Sequence, residues 1–566
     1  MTTVELAQAL WLLVAALGLS LSVQYAGLPV LGQGAFVAVG GVGTALLGPG
    51  GAGWPLGLAA LAAVVVAGGL GHLVAFGASR LEGAYLALAT WALAWLAYRL
   101  MLAFPSTFGG AQGLVRRAPA HVVSPALGLD VRLTPAVHVG LAAVTCVVVI
   151  LAVIRLDKGP AGLDLAALRE GPELAASLGV PVAAHRRAVL TATASLGAVS
   201  GAGTVVLLGL VAPADVSPLL SLQLFVAVLL GGAAGWWGPV LGVALLTVLP
   251  HVADALPGDA ERARGVLTAV LLVVVLVIRR VLSRVRVAVP DVGRERPVPA
   301  PHVPHDVAGT HPVLLEASGI TASYGAVRAV DEAAIELRAG QVHALIGPNG
   351  SGKSTLIKVL AGELVPDAGA VLVGGRAPTG RGPAARVLAG VAATPQRTVL
   401  LAGSAPERQV AVGVRGGTRP RHAVLRHLLG TPSSRLAERR SRALVAAVLR
   451  ETRLSAVAGV SPTELTVGEQ RLLQIARALA TGARVLLLDE PAAGMSADER
   501  ATLRHVLRRL AGNGLAVLVV EHDMRLVNAV ADRVTVLDAG RVIAVGRPAE
   551  VRASPDVQRA YLGVTG

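Results

Sequence analysis

The strongest chemical signature lies in the C-terminal half. The run HALIGPNGSGKST covers residues 343–355. It places Gly347, Asn349, Gly350, Ser351, Gly352, Lys353, Ser354 and Thr355 at the spacing of a phosphate-binding loop, between an apolar strand-like segment and a helical one. Glycines let backbone N–H groups converge on phosphate oxygens, and a helix N-terminus adds a positive dipole. Lys353 is suited to the β and γ phosphates of a nucleoside triphosphate, and the Ser354 hydroxyl to Mg²⁺. A second run, VLLLDEP at 485–491, carries two acids behind an apolar strand. Asp489 is expected to hold Mg²⁺, and Glu490 to polarise the attacking water as general base. Acids at the carboxyl end of a buried strand lie where α/β folds place their ligands.

The elements that must position these groups differ sharply between the two halves. The chain has 566 residues, too many for one ordinary core. Hydrophobic residues make up 54%, and the mean hydropathy is +0.66. Such composition points to a membrane class. Residues 1–282 form long apolar runs, and a helix needs about 20 apolar residues to span the hydrocarbon core. Candidate spans fall near 5–25, 29–49, 55–78, 84–104, 135–155, 187–212, 218–235, 238–256 and 264–282, about nine in all. Residues 283–313 are rich in proline and charge and read as a semi-extended linker, with His302, His305 and His311 solvated. Residues 314–566 alternate β-branched runs with helical patterns, as in an α/β domain.

The formal charge is +15, nearly all from arginine. Because the basic residues sit between apolar spans, this reads as loops facing anionic lipid and not as nucleic-acid binding. Arg80, then Arg155, Lys158, Arg169, Arg186 and Arg187, then Arg279, Arg280, Arg284 and Arg286 fall on one side in the nine-span scheme. Arg116, Arg117 and Arg132 fall on the other. The positive-inside rule therefore puts the N-terminus outside and the C-terminal half in the cytoplasm. The N-terminal run lacks a basic leader and reads as a retained span. Cys146, the single cysteine, reads as a buried packing residue, and Arg99 as an interfacial side chain reaching toward water. Glycines at 32, 34, 40, 41 and 43 permit close helix approach or local unwinding. Gln33 and Gly34 there are candidate substrate contacts.

With these motifs in place, residues 314–566 resemble the ABC ATPase family. LTVGEQRLLQIARAL (465–479) is similar to the family's signature and its helix; VVEHDM (519–524) carries its switch histidine at His522; Gln396 matches its Q-loop glutamine; Tyr324 stands where it stacks an aromatic on adenine. The resemblance implies ATP and Mg²⁺ as ligands, with Ser354, Gln396 and Asp489 around the metal and Glu490, His522 and Gln396 in catalysis. It also implies that Leu465, Thr466, Val467, Gly468 and Glu469 face ATP held by another domain. The signature departs from the usual LSGGQ at Thr466, Val467 and Glu469, and the acid at 469 lies beside a polyphosphate. A single phosphate loop then requires a second ATPase domain from a twin or paralogue.

Within that family the tail 521–563 and PAAGMSADE (491–499) resemble the importers of branched-chain amino acids. So do AGLPVLGQGAFVAVGGVGTALL (26–47), LEGAYLALATWAL (81–93), FGGAQGL (108–114) and VAVLLGGAAGWWGPVLG (226–242). The implied fold is an all-α polytopic membrane domain followed by an α/β P-loop ABC ATPase domain with a helical subdomain. The segment LDLAALREGPELAASLGV (163–180) has the pattern of short amphipathic helices broken at Gly171–Pro172. By resemblance it is the coupling segment, carried by Leu168, Arg169, Glu170, Glu173, Leu174 and Leu178. Implied partners are a second permease domain and an extracytoplasmic binding protein that delivers a small amino acid. Urea or short amides are alternative cargoes. An exporter half-transporter and a membrane-tethered regulatory ATPase are the alternatives to import.

Overall fold

The computed structural model describes residues 2–77, 81, 83–115, 121–124, 129–230, 235–254, 311–380, 382–396, 398–401, 404–416 and 432–562. The expected span near 264–282 and the linker up to residue 310, with His302 and His305, lie outside the described residues. The chain separates into two units, Met1–Leu165 with Val182–Ala288, and Ala166–Pro181 with Val289–Gly566.

The first unit is helical. It contains α1 (Thr3–Ser20), extended by a π-helical turn at Leu21–Tyr25, then α2 (Gln33–Leu47), α3 (Leu56–Gly77), α4 (Ala84–Ala103) and the short α5 (Pro105–Phe108). Short strands β1 (Leu114–Val115), β2 (His121–Ser124) and β3 (Leu129–Arg132) precede α6 (Pro135–Lys158). α7 (Pro160–Glu170) and α8 (Pro172–Ser177) follow in sequence, split at Gly171–Pro172 as the sequence pattern predicts, with α8 counted in the second unit. Next come α9 (Val182–Leu208), β4 (Leu210–Val211), α10 (Pro218–Leu230) and α11 (Trp237–Asp254). Among the described residues, five helices are long and apolar enough to cross a membrane: α1 with its π turn, α3, α4, α6 and α9. α2, α10 and α11 carry shorter apolar stretches.

Several boundaries differ from the expected spans for local reasons. The run 29–49 yields a helix of only 15 residues, because Gly27 takes a positive φ and Pro29 follows, leaving the chain non-helical up to Gly32. The run expected at 187–212 starts earlier, at Val182 directly after Pro181, and stops before Gly209, whose φ is +71°. Arg186, expected in a loop, is therefore buried in the first turns of α9. Cys146 is buried, as expected, and its thiol donates to the Leu10 carbonyl at 3.3 Å.

The second unit carries two sheets. β5 (Val313–Tyr324), β6 (Val327–Arg338) and β8 (Ala368–Val373) form an antiparallel sheet in the order β6-β5-β8. His311 is not free linker: its Nδ1 lies 2.7 Å from the Ala339 carbonyl, just ahead of β5. β7 (Val342–Ile346) leads to α12 (Lys353–Ala361), and α13 (Pro383–Leu388) to β9 (Val391–Thr394). α14 (Pro406–Gly416), α15 (Pro432–Glu451) and α16 (Val467–Ala480) form the helical part. β10 (Val485–Asp489), α17 (Ala497–Gly512), β11 (Ala516–Val520), α18 (Met524–Val530), β12 (Arg533–Asp538), β13 (Arg541–Gly546), α19 (Pro548–Ala553) and α20 (Pro555–Leu562) complete it. The larger sheet runs β13-β12-β7-β11-β10-β9, parallel except for β13. Every residue of β7, β10 and β11 is buried, which is why these strands read as apolar runs, interrupted only by His343 in β7 and by Asp489 at the end of β10.

The first unit is organised around α9, which packs on α1, α2 and α3. Hydrocarbon chains are as apolar as leucine, so helices in a bilayer associate through close contact of small residues. A Cβ on Gly40 would lie 2.1 Å from the Ala198 carbonyl oxygen, and one on Gly201 2.0 Å from that of Val37. Leu61, Val65, Leu88, Trp95, Val144 and Val148 point outward instead, as a lipid-facing surface should. Gly40→Leu is expected to remove the folded first unit, since backbone on both sides blocks any rearrangement. The check is the yield and melting temperature of detergent-purified protein, with the exposed Gly69→Leu expected to behave as the unmodified chain.

Candidate functional site

The site is built where three adjacent strands end. In register, Leu345 on β7 faces Val520 on β11, and Val520 faces Asp489 on β10. The next residues along are Ile346, Glu521 and Glu490. Segments distant in sequence therefore deliver the phosphate loop, the acid pair and His522 to one edge.

The loop after β7 is tightly constrained. Gly347 has φ +153°, and a Cβ there would lie 2.0 Å from the Leu537 carbonyl oxygen. Gly352 has φ +99°, with a Cβ 2.2 Å from the Ala329 carbonyl oxygen. Only glycine lets the loop close this far onto its neighbours. Ser351 and Thr355 are buried, and Lys353 and Ser354 open α12, whose first N–H groups have no intrahelical acceptor. The Lys353 ammonium donates to the carbonyls of Gly347 at 2.9 Å and Pro348 at 2.7 Å, which holds it across the loop. Burial lowers its pKa, opposed by the nearby Glu490 and Asp489 charges. A loop of this shape, with a cation over it and acids opposite, fits a triphosphate carrying a divalent metal.

The acids occupy distinct environments. Asp489 is buried, and burial followed by repulsion from Glu490 raises its pKa. Glu490 has φ +47°, a left-handed conformation that costs energy in a non-glycine residue. Its N–H donates to the Val520 carbonyl at 3.0 Å, which keeps the turn tight against β11. Its Oε1 lies 3.9 Å from His522 Nδ1. Gln396 follows β9 with its side chain exposed, and its carbonyl accepts from Arg471 Nη1 at 2.7 Å. Tyr324, at the end of β5, is half exposed.

A third carboxylate escapes sequence reading. Glu521 is buried, and its pKa is raised by that burial. Its Oε1 accepts from the Ala492 N–H at 2.9 Å and its Oε2 from the His522 N–H at 3.3 Å. It therefore ties the turn after Glu490 to the turn carrying His522. The signal was present: an acid ends the apolar strand AVLVV just as Asp489 ends VLLLD.

The expected signature residues gather at the start of α16. Thr466 caps that helix and Glu469 completes a capping box, accepting from the Thr466 N–H at 2.8 Å. The Glu469 charge is thus engaged in helix capping. Leu465 is buried, Val467 is exposed, and the Gly468 N–H donates to Glu499 at 2.9 Å. In the expected coupling segment, Leu168, Leu174 and Leu178 are buried, and α8 packs on α13 and β9. Arg169 and Glu170 lie 3.6 Å apart. Glu173 adds its charge to the burial that raises the pKa of Glu363.

The first unit holds a cavity of about 480 Å³ among α1, α2, α9, α10 and α11. Glu5, Gln8, Asp215, Gln223, Thr204 and His251 supply its polar wall; Leu12, Val37 and Val205 are among its apolar residues. Glu5 Oε2 and His251 Nε2 are 3.4 Å apart. Gln33 and Gly34 do not line the cavity; they sit about one turn deeper, below Val37 on α2. Gln33 is fully buried, its Nε2 donates to the Ala15 and Thr193 carbonyls at 3.0 and 3.2 Å, and its Oε1 has no protein partner. The Gly34 N–H donates to Ser221 Oγ at 2.8 Å.

A phosphate loop, paired strand-end acids and a neighbouring histidine on one α/β unit, in a chain that also carries a polytopic apolar bundle, define an ABC transporter with its ATPase in the same polypeptide. Residues 330–493 match the family described as ABC transporter. Residues 3–276 match the branched-chain amino acid transport system permease component, and 541–565 the branched-chain amino acid ATP-binding cassette transporter. The chain is 35% identical over 254 residues to the high-affinity branched-chain amino acid transport ATP-binding protein BraF of Pseudomonas aeruginosa, covering 44% of this chain and 98% of that one. It is 37% identical over 255 residues to the ribose import ATP-binding protein RbsA 2 of Streptomyces avermitilis, covering 45% of this chain; it spans only about half, 48%, of that relative's length. A crystal structure of a nucleotide-free ATP-binding cassette from an ABC transporter aligns with 28% identity over 44% of this chain and 100% of that one, at a TM-score of 0.39. The chain belongs to the branched-chain amino acid ABC transporter family, with permease and ATP-binding parts fused. The expected order, an all-α membrane part followed by an α/β ATP-hydrolysing cassette, holds.

Glu521→Ala leaves the buried Ala492 N–H without its acceptor, at a cost of about 1–3 kcal/mol. The expected result is a lower melting temperature of the cassette together with a lower hydrolysis rate, measured by calorimetry and by phosphate release. Glu521→Gln keeps an acceptor oxygen and is expected to recover most of the stability.

Proposed function

We propose that this chain is a fused permease–ATPase subunit that drives import of branched-chain or similar small amino acids across the cytoplasmic membrane. The observation that carries this is the convergence of Lys353, Asp489, Glu490 and His522 at the ends of β7, β10 and β11, in a chain whose permease half matches that transport family. The permease domain is taken as 1–282, the linker as 283–313 and the ATP-binding domain as 314–566.

In this reading the loop Gly347–Thr355 cradles the phosphates of ATP, with Asn349, Gly350, Ser351 and Gly352 presenting N–H groups and Tyr324 supporting adenine. Ser354, Gln396 and Asp489 would hold Mg²⁺, which supplies charge neutralisation on the phosphates. Glu490, held by its strained turn, orients the attacking water, and His522, fixed through Glu521, contacts the γ-phosphate side. Leu465–Glu469 close on ATP held by a second ATPase domain from a twin or paralogue. The segment 168–178, seated on α13 next to the strand that leads to Gln396, is suited to pass that closure to the permease.

The substrate arrives from an extracytoplasmic binding protein and pairs with a second permease domain's pathway. The cavity of the first unit supports an amino-acid cargo: Glu5 and Asp215 suit an ammonium, His251 a carboxylate, and the apolar wall a branched side chain. Gln33 Oε1 is the next polar acceptor along α2, with Gly34 beside it. The N-terminus is assigned to the outside and the cassette to the cytoplasm.

The test is uptake of labelled leucine, isoleucine, valine, urea and a short amide in cells expressing this chain with its neighbouring genes. Glu490→Gln is expected to retain ATP binding and lose at least about a hundredfold in turnover and uptake, the order typical of a general base. Glu490-dependent uptake of urea or amide alone would replace the cargo. Uptake indifferent to Glu490 would remove the import reading in favour of export or regulation.

A further inference from the structure

The start of α16 has an anion on it already. Glu499, the third residue of α17, accepts from the Gly468 N–H at 2.9 Å through Oε1 and from the Ser496 N–H at 2.8 Å through Oε2. A Cβ on Gly468 would lie 2.7 Å from the Glu499 carboxyl carbon, so the approach depends on glycine at 468. The bonds from the Ser496 and Gly468 N–H groups hold the Glu499 pKa down to about 2, so the group is ionised at any working pH. In the reading above, Thr466 offers a hydroxyl to the γ-phosphate of a facing ATP, and Gly468 allows its backbone to approach that phosphate closely.

We propose that Glu499 is a placeholder for that γ-phosphate: an intramolecular carboxylate that occupies the Gly468 N–H at the signature and must withdraw before this N–H engages nucleotide. This rests on the reading that the signature closes on ATP held by a second ATPase domain. A carboxylate oxygen and a phosphate oxygen are both anionic acceptors, and one N–H gives a short, straight bond to only one of them. Two anions at one helix N-terminus also repel. Glu499 therefore acts as a positioning residue that competes with ATP and orders its site. The exchange is linked to the catalytic turn through the chain: Glu499 lies shortly after Ala492, whose N–H is held by Glu521. Withdrawal of Glu499 pulls on the segment that carries Glu490 at its other end.

The experiment measures ATP hydrolysis against ATP concentration for the full chain in lipid vesicles, assembled with its co-expressed partners. Variants are Glu499→Gln and Glu499→Asp, with Ser496→Ala as the control for α17 capping. Glutamine keeps the shape and removes the charge; aspartate shortens the reach to Gly468. Both are expected to lower the half-saturating ATP concentration, glutamine by about fivefold, the order of one charge interaction at a helix terminus. Ser496→Ala is expected to lower the melting temperature with no change in half-saturation. Half-saturation that is unchanged or raised in both Glu499 variants, with the unmodified chain active, overturns the placeholder role alone. Absence of hydrolysis by the unmodified chain overturns the transporter reading and this role with it.

Discussion

Hydrogen-bonded register among three buried parallel strands is the constraint on which the ATPase site depends. β10, β11 and β7 lie side by side with Asp489, Val520 and Leu345 in line. Their interiors are buried and apolar apart from His343, whose Nε2 lies 2.7 Å from Thr535 Oγ1, so a slip in register would expose or misplace every side chain in them. Because the strands are parallel, all three end on the same edge. Each end then turns abruptly: into glycine after β7, into strained Glu490 after β10, and into Glu521 and His522 after β11. The loops have little freedom because the strands leave them none.

Carboxylates do the remaining positioning. Glu521 joins the turns after β10 and β11, Glu469 closes the cap of α16, and Glu499 joins the starts of α16 and α17. All three accept backbone N–H groups that would otherwise lack partners, at helix starts and turns where the chain leaves regular structure. The same device satisfies the backbone and places fixed negative charge at the turns after β10 and β11 and at the starts of α16 and α17.

The membrane half relies on a different physical principle. With no water to expel from between helices, α9 gains its contacts by bringing backbone against backbone at Gly40, Ala198 and Gly201. The same close packing leaves Gln33 buried between α1 and α9, its side-chain amide Nε2 donating to their carbonyls. The polar cavity walls lie toward the end of the bundle where α1 begins and α9 ends.

Much of this was legible in the amino-acid sequence. The phosphate loop, the strand-end acids, the division into apolar and α/β halves and the break at Gly171–Pro172 each follow from local spacing, because a short motif or a single period encodes them. Glycine and proline also mark the shortened α2 and the early start of α9, although hydrophobic run length alone misplaced both. What only the tertiary structure decided is which distant groups meet. Nothing local in VVEHDM says that Glu521 will reach Ala492, nor in SADE that Glu499 will reach Gly468. Those contacts follow from strand order and from helix starts brought together in space, and neither strand order nor through-space proximity is written in the spacing of neighbouring residues.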